Sequence, residues 1–160
     1  MKISIVHTDP AHQPVAATVA KEIHRHLPRG LAELTCATRP DLDQTELVLA
    51  VFSLRAGAYA PVVPCYRELR DKKVAFLAIL TGPVDQSRLR KTVWGIKKQF
   101  CGNHVVAGYL CPAEDEVAWG LTQDELTKAL DFARKVFEEH GSGPDPRVPH
   151  HDDQPLAANY

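Results

Sequence analysis

The chain has 160 residues and a formal net charge of −1, with 44% hydrophobic and 24% charged residues. That length suits one domain with a true core, and the near-neutral balance gives no global basic field for nucleic acid. The longest apolar run, Val74 to Leu80, falls far short of the roughly twenty residues of a membrane span, and Lys2 is followed by only a strand-length apolar run rather than a signal-peptide core. A cytoplasmic protein with no membrane or nucleic-acid partner is expected.

Ile3 to Val6 opens the chain as a short apolar run of strand length. The stretch "HTDPAHQP" follows, and then a helical pattern in which Val15, Val19, Ile23 and Leu27 recur at spacing four on one face. Pro14 suits the first helical position, where its missing N–H costs nothing. Ala32 to Thr38 alternates apolar and polar residues, as an edge strand does, and "RPDLDQTE" after it is polar and broken by proline. Leu47 to Phe52 is the next strand, followed by the loop "SLRAGAYA" and a short helix, Val62 to Arg70, whose Pro64 must lie in the first turn.

Val74 to Leu80 is a further strand, and "TGPVDQS" after it carries a Gly-Pro turn signal with Asp85 or Ser87 as a helix cap. Leu89, Val93, Ile96 and Phe100 then form a helical stripe, and Val105 to Leu110 a last strand. "TQDE" from Thr122 is a capping box opening a helix with Leu126, Leu130, Ala133 and Phe137 on its core face. After His140 the composition turns to proline, glycine and polar residues, so residues 1–140 read as the domain and 141–160 as a flexible tail.

Three of the main strand runs are nearly continuous, the signature of strands buried on both faces. The order β-α-β-β-α-β-α-β-α implies a five-stranded parallel sheet covered on both sides, an α/β three-layer sandwich with strand order 2-1-3-4-5. In such a sheet a ligand sits beyond the carboxyl ends of the strands, near the switch in strand order. That draws attention to Thr8–Gln13, Ser53–Ala60 and Thr81–Gln86. Thr8 and Gln13 offer donors near a helix start that favours an anion, with His12 beside them, while Asp9 and Pro14 oppose one. In the second loop Gly57 permits close backbone approach, Tyr59 offers a ring to stack on and Arg55 a cation.

These features resemble a flavodoxin. The start "MKISIVHT…VAATVAKEI" is similar to the family's opening, and Phe52, Gly57, "DKKVAFLAILTG", "GYLCPAEDE" and "LTQDELTKALDFARKVFEE" resemble one branch of small flavodoxin-domain proteins. The likeness runs over residues 1–140. It implies a flavodoxin-like fold that binds FMN without a covalent bond, with the phosphate at the first loop and the ring between the second and third. It also implies electron transfer with a redox partner protein and no catalytic acid or base. The cofactor-binding residues would be Thr8, His12, Gln13, Ser53, Gly57, Tyr59, Thr81 and Gly82. The first loop departs from the family's T-G-N-T turn, having Ala11, His12, Gln13 and Pro14. The alternative is a flavin-free binding or regulatory module, and a minor one an FMN-dependent reductase.

The cysteines at 36, 65, 101 and 111 form no C-x-x-C pair and read as free thiols. Cys111 reads as a buried structural residue, since a reactive thiol there would need a cationic neighbour. His24 and His26 do not share a helix face, and His150, His151, Asp152 and Asp153 lie in the tail, so no metal site is expected. Arg88, Arg90, Lys91, Lys97 and Lys98 make the third helix basic, either as a solvated face or as a docking face for an acidic redox partner.

Overall fold

The computed structural model describes residues 2–8, 15–36, 42–55, 64–81, 85–112 and 122–141. In chain order these form β1 (Ile3–Thr8), α1 (Val15–His26), β2 (Ala32–Cys36), β3 (Leu47–Arg55), α2 (Pro64–Glu68), β4 (Lys73–Thr81), α3 (Gln86–Gln99), β5 (His104–Pro112) and α4 (Gln123–His140). All strand pairings are parallel, in the order β2-β1-β3-β4-β5. The expected α/β architecture is the observed one, with the alternating strand β2 at an edge.

Strand periodicity divides the interior into two layers. Ile3, Ile5, Leu47, Leu49, Val51, Ala75, Leu77 and Ile79 pack against α1 and α4. Val6, Val48, Ala50, Phe52, Val74, Phe76 and Ala78 face Tyr66 of α2 and Val93 and Ile96 of α3. Because β3 and β4 bury side chains on both faces, both alternating sets must be apolar, which is why those runs are continuous.

Four strands run further at their carboxyl ends than their apolar runs: β1 to Thr8, β3 to Arg55, β4 to Thr81 and β5 to Pro112. Thr8 pairs with Phe52 and Arg55 with Thr81. The ladder is made by backbone groups, so polar residues extend it where apolar patterning has already stopped. Between β4 and β5 the register shifts at Val74/Ala75: Val74 faces Val105 and Ala75 faces Ala107, leaving Val106 as an extra residue.

Helix α2 begins at Pro64, in the first turn as expected, and ends at Glu68; Val62 and Val63 lie outside the described residues. Asp85 is the N-cap of α3, its carboxylate accepting the Arg88 N–H at 2.9 Å. Thr122 caps α4, accepting the Glu125 N–H at 3.1 Å. The core face of α4 differs from the expected stripe. Ala129, Phe132, Ala133, Val136 and Phe137 are buried, whereas Leu126 and Leu130 are only half covered. The buried face is centred to one side of the expected stripe: Ala133 and Phe137 belong to both, while Ala129, Phe132 and Val136 are buried in place of Leu126 and Leu130. Of the expected tail, 142–160 lies outside the described residues; Gly141 closes α4 by donating its N–H to Phe137 O at 2.9 Å.

Candidate ligand site at the carboxyl edge of the sheet

Parallel strands place all five carboxyl ends on one edge of the sheet. From β1 the chain goes on to α1 on one face, and from the neighbouring β3 to α2 on the other. Successive connections therefore part between β1 and β3, and this switch point is where open α/β sheets leave a crevice.

The described residues bring Thr8, Ser53 and Thr81 to this edge on three adjacent strands. Ser53 pairs with Ile79 and continues the row Leu49, Val51 toward the α1 face, with 7% of its surface exposed. Thr8 follows Val6 on the opposite face and is half-buried. Its hydroxyl lies 3.2 Å from that of Tyr66. Thr81 ends β4 next to Arg55. His12, Gln13, Gly57, Tyr59 and Gly82 lie outside the described residues.

Tyr66 was not legible as a site neighbour in the sequence. It is 1% exposed, its ring is 5.0 Å from that of Phe100, and its hydroxyl donates to Val6 O at 3.4 Å. A buried tyrosine needs a partner for its O–H; Val6 O accepts it, which leaves the phenolic oxygen to accept from the Thr8 hydroxyl. The bond directs the Thr8 hydroxyl toward the α2/α3 layer, away from the face on which α1 starts.

A second polar group gathers where β5 meets α4. The Glu125 carboxylate lies 3.5 Å from Tyr109 Oη and 3.7 Å from Cys111 Sγ, while Lys128 Nζ is 3.5 Å from its other oxygen. Burial, then the negative charge of Glu125, pushes the Cys111 thiol up to about 12. The same two causes, in the same order, raise the Tyr109 phenol to about 12. Lys128, which pairs with the carboxylate, pulls the thiol the other way with the smallest influence. Cys111 is therefore a protonated, buried thiol at neutral pH, as its sequence context suggests, and not a nucleophile. Among the described residues, no group of three His, Cys, Asp or Glu side chains is placed to hold a metal ion. No helix among them is long and apolar enough to cross a membrane.

The described residues thus place Thr8 and Ser53 at the switch point on adjacent strands and opposite faces, with the backbone of Thr81 on the next strand.

No protein-family profile matches the chain, and no curated protein matches it either. Solved structures do resemble it. The oxidised Flavodoxin 2 from Bacillus cereus superposes with a TM-score of 0.61 at 14% identity, covering 87% of this chain and 99% of that one. A short-chain flavodoxin associated with a non-canonical PDU bacterial microcompartment gives 0.56 at 9% identity, covering 87% and 98%. A flavodoxin from Streptococcus pneumonia TIGR4 gives 0.56 at 10% identity, covering 87% and 99%. At such identities the likeness establishes the fold, which is flavodoxin-like.

Proposed function

We propose, for a chain whose fold is flavodoxin-like, that it binds FMN at the carboxyl edge between β1 and β3 and serves as an electron carrier. The observation that carries this reading is the set of hydroxyl residues Thr8, Ser53 and Thr81 on adjacent strands at the switch point of that sheet. When bound, the flavin supplies one- or two-electron transfer; the protein's own part is to hold and shield it and to set its potential. Ser53 is buried on the face where α1 packs and is suited to donate to the ligand where the phosphate meets the helix start. His12 and Gln13 line the first loop in this reading, Gly57 and Tyr59 the second, and Thr81 and Gly82 the third. A cytoplasmic location and a redox partner protein belong to the same proposal.

One observation favours a second reading, a flavin-free binding or regulatory module. The Thr8 hydroxyl is engaged by Tyr66 on the face opposite α1, and the loop from Asp9 to Pro14 has no glycine and one carboxylate. The deciding experiment is the visible absorbance of the purified protein before and after excess FMN and gel filtration, with riboflavin in parallel. Retained flavin bands with FMN, weaker with riboflavin, support a carrier whose edge grips the phosphate. A colourless protein that neither flavin reconstitutes overturns the carrier and leaves the flavin-free module.

A further inference from the structure

Helix α3 carries Arg88, Arg90, Lys91, Lys97 and Lys98 and no acidic residue. The chain as a whole has 19 basic and 20 acidic residues, so this one helix is strongly positive while the remainder is net acidic. The buried side of α3, formed by Thr92, Val93 and Ile96, packs on the sheet. On the opposite side, spacings of three and four place Arg90, Lys91, Trp94, Lys97 and Lys98 in one exposed stripe.

Trp94 sits at the centre of that stripe with 59% of its surface exposed. Lys98 Nζ lies 4.9 Å from the centre of its ring. Arg90, Lys97 and Lys98 make no ion pair among the described residues. A solvated face needs cations but gains nothing from a large ring held in water. Tryptophan and arginine, by contrast, are the residue types that anchor interfaces.

We propose that this stripe is a docking surface for an acidic protein segment, whose carboxylates meet the four cations while an apolar side chain covers Trp94. Charge complementarity selects the occupant. A compact positive stripe on an otherwise acidic body draws a local run of carboxylates, whereas the extended phosphate backbone of a nucleic acid would meet repulsion beyond the helix. The surface does not depend on the flavin reading, since α3 presents it whatever occupies the carboxyl edge.

The test uses the full chain and a fluorescein-labelled peptide of alternating glutamate and leucine, read by anisotropy at low and at physiological salt. An oligo-dT strand and phosphatidylserine vesicles are competing probes. The expected result is peptide binding that weakens at higher salt. Trp94→Ala, and separately the pair Lys97→Glu with Lys98→Glu, should each weaken it at least tenfold. The pair Arg134→Glu with Lys135→Glu, an equal charge change on α4 across the sheet, should leave it within twofold. Equal loss in the α4 pair, no loss in Trp94→Ala, or tighter binding of the oligonucleotide or vesicles overturns the proposal. Circular dichroism of each variant confirms that the fold is retained.

Discussion

The hydroxyl of Thr8, the last residue of β1, lies 3.2 Å from the hydroxyl of Tyr66, which is buried beneath it and also reaches Val6 O at 3.4 Å. The end of the strand is thus tied to the α2 region rather than left open toward α1. Tyr66→Phe removes that tie and keeps the ring against Phe100. A loss of about 1 kcal/mol in urea unfolding is expected, the net worth of an ordinary buried hydrogen bond. An unchanged midpoint would show that the two hydroxyls are equally well satisfied without each other.

Gly108 of β5 lies directly over Phe76 of β4. A Cβ at this position would come within 2.3 Å of the ring's Cζ. Phe76 is wholly buried, so the ring has little room to move aside. Gly108→Ala is expected to cost about 1–3 kcal/mol by overpacking, read as a lower urea midpoint. Adding Phe76→Leu should recover part of the loss, and no recovery would place the strain elsewhere.

Cys101 is exposed and Cys111 buried. At pH 7.5, iodoacetamide followed by peptide mapping should modify Cys101 and spare Cys111 until the protein is unfolded. The Cys111 thiol is raised from 9.0 to about 12 in the folded chain. Between those values the unfolded chain releases its proton and the folded chain does not, so stability falls as pH rises from about 9 toward 12. Tyr109, raised from 10.0 to about 12, adds to the same slope. Cys111→Ala should make the alkaline decline shallower; an unaltered slope would assign it to other groups.

The N-caps of the two longest helices offer a test of additivity. Asp85→Ala removes the carboxylate that accepts the Arg88 N–H, and Thr122→Ala the hydroxyl that accepts the Glu125 N–H. Each should cost about 1 kcal/mol. The helices lie on opposite faces of the sheet and share no partner, so the double variant should lose the sum to within about 0.5 kcal/mol. A larger departure would reveal coupling through the sheet.

Much of the architecture was legible in the sequence because it follows from local rules. Continuous apolar runs at Leu47 and Val74 demand burial on both faces, the alternation from Ala32 demands an edge, and Asp85 and Thr122 announce helix starts. Backbone pairing was less visible. Nothing apolar marks Thr8, Arg55 or Thr81, yet the ladder runs through all three because neighbouring strands supply its hydrogen bonds. Of the expected ligand-binding residues, Ser53 and Thr8 do come to one edge, but on opposite faces of the sheet, a consequence of strand parity in a register that only pairing sets.

The order of elements, the parallel sheet, the edge strand and the charge of α3 follow from local sequence, because each depends on residue types and spacing within single segments. That Tyr66 engages the Thr8 hydroxyl, 58 residues away, was settled by packing between layers. Packing of the layers also set the Glu125 carboxylate against Tyr109 and Cys111. Those outcomes depend on which faces meet when the layers close, and long-range packing of that kind leaves no periodic trace in any one segment.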